Sequence, residues 1–178
     1  MIELEVASLG LDKASNTPVV ILREVDGERL LPIWIGPGEA SAIAMELAGI
    51  KFSRPLTHDL LNTVVRSLGS ELLRVIITRV VDNTYFASLV FQRNGEVITI
   101  DSRPSDSVAL ALRASAPIFA DVELLDRTAV EVQDGTLEPG FAGTESGFST
   151  PEEEVAPPEK LRDYLKRLDP EDFGRFVP

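Results

Sequence analysis

The chain of 178 residues contains no cysteine and only one histidine, His58. The absence of cysteine excludes disulfide bonds, thiolate metal sites and cysteine nucleophiles. The single histidine excludes a catalytic histidine pair and a metal site with several histidines. No run of about 18 apolar residues is present, so we expect no membrane span. The N-terminus also lacks the basic segment that begins a signal peptide, and we therefore expect a cytoplasmic protein.

Basic residues are fewer than acidic ones, with 17 Lys and Arg against 29 Asp and Glu and a formal net charge of −12. Residues 1–125 carry 11 basic and 16 acidic side chains, whereas residues 126–178 carry 6 and 13. Such an acidic surface attracts nucleic-acid phosphates only weakly, so binding would need a local basic patch. Six central arginines are available for one: Arg54, Arg66, Arg74, Arg79, Arg103 and Arg113.

Hydrophobic periodicity predicts one α+β domain over residues 1–130. Alternating apolar residues predict strands near residues 2–11, 19–25, 30–35, 72–81, 85–91, 96–100 and 118–120. Helical spacing predicts helices over 37–47, from an N-cap at Thr57 to Leu68, from Pro104 to the residues before Pro117, and over 122–130. Blocks of consecutive strands separated by helices favour a mixed, mostly antiparallel sheet packed by helices.

One junction between a strand and a helix occurs twice. The segment Pro37–Met45 aligns with Pro104–Leu112, so that Glu39 falls opposite Asp106. We interpret the match as an internal duplication, which predicts two β-meander-plus-helix units related by a pseudo-twofold axis. The alternative is that capping chemistry selects the same residues wherever a helix starts in this way.

The C-terminal quarter has a different character. Periodicity is lost over residues 131–158, which are rich in Pro, Gly and Glu and which we interpret as a flexible acidic linker. Residues 159–178 follow as a short amphipathic docking helix, too short to be stable alone. Its apolar side chains have the spacing i, i+3, i+4, i+7: Leu161, Tyr164, Leu165 and Leu168. We expect it to dock either on its own body or on a second subunit.

The polar residues with catalytic potential lie near predicted helix starts: Glu39, His58, Asp59, Arg103 and Asp106. Taken singly, each acid is most simply explained by the helix dipole. A pseudo-twofold axis would bring two helix starts together, and convergent carboxylates hold a hard cation such as Mg²⁺ or Mn²⁺. A cation with a metal-activated water is what phosphodiester hydrolysis requires.

Three blocks carry a resemblance to a known family: residues 31–40, residues 54–60 and residues 101–111. In order and spacing they resemble the bifunctional nuclease domain family, over roughly residues 1–130. The resemblance implies a compact α+β domain, a homodimer, and nuclease activity toward DNA and RNA.

Two functions of different classes remain open. The first is a metal-dependent nuclease in which Glu39, Asp59 and Asp106 bind the metal, Arg103 contacts phosphate and His58 acts as general acid or base. In that reading the catalytic residues are His58, Asp59, Arg103 and Asp106, a role assignment that is our own inference. The second is a non-catalytic dimeric module that binds an anionic ligand or a protein partner. Carboxylates within about 5 Å of one another would favour the first, and acids in separate helix caps the second.

Overall fold

The computed structural model describes residues 1–12, 15–133 and 136–137. Its strands are β1 (Ile2–Leu11), β2 (Pro18–Glu24), β3 (Arg29–Trp34), β4 (Ser70–Val81), β5 (Thr84–Arg93), β6 (Glu96–Ser102), β7 (Ile118–Ala120), β8 (Val130–Gln133) and β9 (Thr136–Leu137). Its helices are α1 (Pro37–Leu47), α2 (Thr57–Ser67), α3 (Pro104–Ala114) and α4 (Val122–Thr128). None of the helices in these residues has the length and apolar character needed to cross a membrane.

The strands form one sheet in the order β6-β5-β4-β7-β1-β2-β3-β8-β9. All neighbours are antiparallel except β4 and β7, which are parallel. This confirms the predicted α+β class and its mixed, mostly antiparallel sheet. A meander β1-β2-β3 leads to α1, a meander β4-β5-β6 leads to α3, and β7 lies between the two meanders. The common order fits the two-unit description, whereas a duplication as its origin stays a prediction.

Two tight hairpin turns are set by residues that tolerate a left-handed backbone. Asp82 and Asn83 have φ of 48° and 60°, and Asn94 and Gly95 have φ of 51° and 85°. Two successive positive φ values define the turn whose twist matches that of antiparallel strands. The second meander therefore turns at these two dipeptides.

The core lies between the sheet and helices α1 and α3. Val108 on α3 and Ile43 on α1 are fully buried, as are Leu22, Leu31 and Ile77 on the strands. Complete burial of such a side chain contributes about 1.5–3 kcal/mol. Helix α3 packs against α1, α2, β4 and β5, so its start is held in place on several sides.

Helix α2 starts differently from the prediction. Leu56, rather than Thr57, is the N-cap, and Thr57 is the first helical residue. The Asp59 carboxylate accepts the Leu56 backbone N–H at 2.9 Å, which satisfies a donor that the helix itself leaves unpaired. The helix start is therefore held by the acid three residues after the cap, which accepts the N–H of the cap residue, and not by a cap hydroxyl.

The end of the described chain also differs from the prediction. Helix α4 ends at Thr128 instead of residue 130, and residues 130–133 form β8, which pairs with β3. The predicted start of the linker at residue 131 falls inside this strand. Residues 134–135 and 138–158 of the predicted linker, and the predicted docking helix over 159–178, lie outside the described residues.

Candidate functional site

The predicted site residues lie in the first turns of three neighbouring helices. Glu39 is in the first turn of α1, His58 and Asp59 are in that of α2, and Arg103 and Asp106 begin α3. Helices α1 and α3 both start with a proline, whose missing N–H and fixed φ suit the first helical position. Because α3 packs against both α1 and α2, these starts share one region of the surface.

Arg103 joins the starts of α1 and α3. Its Nε and Nη2 donate to the two carboxylate oxygens of Asp106 at 2.8 and 3.1 Å, a bidentate pair. Its Nη1 lies 2.7 Å from Glu39 Oε1. The Arg103 side chain nevertheless remains 66% exposed, so its guanidinium faces solvent while it holds both acids. Glu39 and Asp106, which the repeat placed at equivalent positions, therefore meet on one cationic group.

Gly36 makes room for the Glu39 carboxylate. A Cβ added at Gly36 would lie only 2.4 Å from Glu39 Oε2. The glycine has an ordinary extended conformation with φ of −75°, so its role is to leave space and not to permit an unusual backbone. Any side chain at this position would displace the carboxylate.

His58 and Asp106 form an Asp–His pair. His58 Nε2 lies 3.2 Å from Asp106 Oδ1, and the histidine side chain is 13% exposed. Burial is the largest influence on the Asp106 pKa and raises it, but the hydrogen bonds from Arg103 and His58 outweigh burial and lower the pKa below its ordinary value. An ionised Asp106 can only accept, so the proton of this hydrogen bond is on His58 Nε2. In the neutral ring, Nδ1 is then the basic nitrogen.

Asp59 belongs to a second, deeper ion pair with Arg113. The Arg113 side chain is 4% exposed, and its Nε donates to Asp59 Oδ1 at 2.5 Å. Its Nη2 donates to the Ala42 carbonyl of α1 at 3.2 Å, so one guanidinium links all three helices. Burial tends to raise the Asp59 pKa, but the hydrogen bonds from Arg113 and the Leu56 N–H lower it overall.

Arg113 is the residue whose place in this site was not predicted. The sequence analysis treated it as a member of a basic patch, but it is buried in an ion pair. Arg79 is also engaged, with its guanidinium carbon 4.3 Å from the centre of the Phe86 ring. No local sequence signal identifies this role of Arg113, because its burial results from the packing of α3 against both α1 and α2.

The three predicted metal ligands are divided between two arginines. Glu39 and Asp106 share Arg103, whereas Asp59 is bonded to Arg113 and to the backbone of Leu56. Within residues 1–12, 15–133 and 136–137, no three His, Asp or Glu side chains are grouped so that they could hold a metal ion. The structure thus brings together two of the predicted carboxylates and keeps the third in a separate contact.

Comparison with known proteins identifies a family model and a relative that is similar over almost the whole chain. A sequence model of the bifunctional nuclease domain matches residues 20–133. An uncharacterized protein of Mycobacterium tuberculosis is 41% identical over 171 residues, which cover 96% of this chain and 97% of that protein.

Plant relatives are similar over a shorter stretch. Bifunctional nuclease 1 of Arabidopsis thaliana is 30% identical over 105 residues, or 57% of this chain and 32% of the plant protein. Bifunctional nuclease 2 of Oryza sativa subsp. japonica is 29% identical over 112 residues, or 61% of this chain and 34% of the plant protein. The matched region is therefore about a third of each plant protein.

Proposed function

This chain belongs to the bifunctional nuclease domain family, and from that premise we propose that it hydrolyses phosphodiester bonds in DNA or RNA. The observation that carries the proposal is the cluster of Arg103, Asp106 and His58 at the adjoining starts of α2 and α3. The cluster combines an arginine that can bind phosphate with a histidine that can accept or donate a proton.

We also propose a cytoplasmic location, which agrees with a chain free of cysteine and is tested by cell fractionation.

Arg103 is the proposed phosphate-binding residue. A guanidinium has five N–H donors, and three of them serve Asp106 and Glu39. The remaining donors and the exposed side chain are available to a phosphate oxygen. The first turn of α3 adds unpaired backbone N–H groups and the positive end of a helix dipole. Arg103 would orient the scissile phosphate and stabilise the negative charge that develops on it.

His58 is the proposed general base. Its Nε2 proton is held by Asp106, which fixes the tautomer and leaves Nδ1 to accept a proton from the attacking water. The neighbouring Asp106 carboxylate would stabilise the resulting imidazolium. Asp59 is a positioning residue, because its contacts with Leu56 and Arg113 hold the helix that carries His58.

A divalent cation, Mg²⁺ or Mn²⁺, is part of the proposal. Glu39 and Asp106 are the proposed ligands, because they are oxygen donors whose carboxylates meet at Arg103, and the ion would have to take the place of the guanidinium between them. Asp59 is the third proposed ligand, but its oxygens are bonded to the Leu56 N–H and to Arg113, away from the other two acids. When bound, the ion would neutralise phosphate charge and acidify a water molecule.

The proposal is tested by cleavage of labelled single- and double-stranded DNA and RNA, with and without Mg²⁺ or Mn²⁺. Asp106→Asn should lower the cleavage rate about 100-fold or more, because it weakens the contacts with both Arg103 and His58. The matched control is Asp126→Asn, which also removes an ion pair to an arginine, Arg29, but lies on α4. Equal rates for the two variants would contradict the assigned site.

The alternative is a non-catalytic module that binds an anionic ligand. It is favoured by one observation, namely that all three acids are paired with arginines, as expected of structural contacts. In this case an oligonucleotide or inorganic phosphate would bind in a manner that depends on Arg103, and no substrate would be cleaved under any metal condition.

We further propose that the chain forms a homodimer through β6. In the described part of the chain β6 pairs only with β5, and its other edge has no strand partner. Ile98 and Ile100 lie opposite the buried Phe91 and Leu89 but are themselves exposed, so they continue the core face of the sheet into solvent. The strand contains no Lys, Arg or Pro, the residues that commonly protect an edge.

The sequence of β6 is suited to pairing with itself. In an antiparallel pair centred on Thr99, Ile98 of one copy would face Ile100 of the other, and Glu96 would face Ser102. No two acids would be opposite each other in that register. Sedimentation should show a dimer at micromolar concentration for the unaltered chain and a monomer for Ile100→Lys. Leu11→Lys is an exposed control, and a monomeric unaltered chain would contradict the proposal.

A further inference from the structure

The hairpin formed by β4 and β5 extends beyond the end of β6. Strand β6 pairs with β5 only as far as Ser102, which lies opposite Ala87. Strands β4 and β5 stay paired at the next position, Arg79 with Phe86, and at two pairs beyond it. The position that would continue β6 opposite Phe86 belongs to Arg103, whose backbone is still extended, with φ of −72° and ψ of 143°. Phe86 and Arg103 are therefore neighbours at one edge of the sheet.

Phe86 lies on the face of the sheet that is opposite the helices. Its neighbour Ala87 belongs to the core, and side chains alternate between the two faces along a strand. Phe86 is only partly buried and belongs to neither buried cluster of the described residues. Because Ser102 contacts Ser107 on the helix side, the same alternation directs Arg103 to the side of Phe86 where it leaves the backbone. Neighbouring strands lie about 5 Å apart, so one small ligand can reach both side chains.

Arg79 stacks on Phe86 and has no carboxylate partner in the described part of the chain. Its guanidinium carbon lies 4.3 Å from the centre of the ring, and the side chain is exposed. By contrast, Arg29, Arg103 and Arg113 each hold one or more carboxylates. Arg79 thus keeps its hydrogen-bond donors available beside an aromatic ring, a combination that binds nucleobases by stacking.

We propose that Phe86 and Arg79 form a nucleobase-binding site, which receives the base of the nucleotide whose phosphate lies on Arg103. The inference rests on the proposed function in one respect, namely that Arg103 binds phosphate. Exposed Asp101 lies on the same face of β6, opposite Ser88. Its carboxylate would repel a second phosphate but can accept a hydrogen bond from a base amino group. The charges around the ring therefore favour a base over a phosphate.

Quenching of 2-aminopurine fluorescence tests the site, because this base analogue loses fluorescence when it stacks. The probe is a short single-stranded DNA with one 2-aminopurine, titrated with the full chain in EDTA so that metal-dependent cleavage is prevented. Phe86→Leu keeps an apolar side chain but removes the ring, so it should weaken binding at least fivefold and remove most of the quenching. Phe86→Trp should retain both binding and quenching.

Phe119→Leu is the matched control. Phe119 is also partly buried and lies on the same face of the sheet, opposite Ile76, but Arg79 does not stack on it. This variant should bind the probe within twofold of the unaltered chain. Equal weakening by the two leucine variants would show that Phe86 acts only through the stability of the sheet, as an ordinary cross-strand pair does, and would overturn the proposal. Undiminished quenching by Phe86→Leu, or none by the unaltered chain, would overturn it as well.

A second titration separates this inference from the proposed function. Its probes are the 2-aminopurine nucleoside and the 3′,5′-bisphosphate of that nucleoside. The unaltered chain should bind the bisphosphate more tightly, Arg103→Met should lose this preference, and Phe86→Leu should weaken the binding of both probes. If Phe86→Leu binds both probes normally, the base site is wrong even if the chain cleaves DNA. Binding that depends on Phe86 in a chain that cleaves no nucleic acid would overturn the proposed hydrolysis and support the base site.

Discussion

Replacement of Arg113 by methionine tests the buried contact that holds the three helices together. The substitution keeps much of the side-chain volume but removes the donors to Asp59 and to the Ala42 carbonyl. Loss of one partner of a buried ion pair costs about 3–5 kcal/mol. Since Asp59 keeps a third of its side-chain surface in water, we expect a loss below that range, about 2–3 kcal/mol. For a domain of this size, such a loss lowers Tm by about 10 °C.

The same variant makes a prediction about pH. The folded-state pKa of Asp59 lies below its unfolded value, so the stability that this carboxylate contributes is present above the unfolded pKa. It is lost as the pH falls through the folded-state pKa. In Arg113→Met the lowering contact is gone, and the stability difference from the unaltered chain should shrink as the pH is reduced from 7 toward 3.

Urea unfolding at several pH values measures both effects. The control is Arg23→Met, which removes an exposed ion pair with Glu5 and should cost less than about 1 kcal/mol at any pH. A loss below about 1 kcal/mol for Arg113→Met at pH 7 would refute the reasoning. A larger loss that does not change with pH would show that packing, and not the contact with Asp59, is responsible.

Two further predictions concern helix starts. Gly36→Ala should leave the free energy of unfolding within about 1 kcal/mol, because the added Cβ meets only the mobile end of Glu39. It should nevertheless displace that carboxylate and alter phosphate or Mn²⁺ binding, measured by calorimetry; unaltered binding would contradict a role for Glu39. Asp121→Ala removes the cap that accepts the Glu123 N–H at 2.9 Å and should cost about 1 kcal/mol in urea unfolding. No measurable loss would show that this cap is dispensable.

The features that could be predicted from the sequence depend on local interactions. Pro37 and Pro104 mark the starts of α1 and α3 because proline at the first helical turn is favoured by its own geometry. Asn94 and Gly95 mark a hairpin because few other residues adopt two left-handed conformations in succession. Each of these signals requires only a few neighbouring residues, so the chain order of strands and helices from β1 to α4 could be predicted.

The features that could not be predicted depend on contacts between distant residues. Nothing in residues 118–120 indicates that β7 lies between β1 and β4, because that position is set by the whole sheet. The burial of Arg113 follows from the packing of α3 against α1 and α2, which its own neighbours in sequence do not reveal. For the same reason the sequence placed Glu39, Asp59 and Asp106 in one group, whereas the structure assigns Asp59 to a separate arginine.

Chemical rescue of a His58→Ala variant tests the central claim most directly. Removal of a general base should lower the rate of nucleic-acid cleavage about 10²–10⁴-fold. Imidazole added to the variant should restore part of the lost rate, because it can occupy the space of the missing ring and accept the proton. Cleavage by His58→Ala at the rate of the unaltered chain would contradict the account.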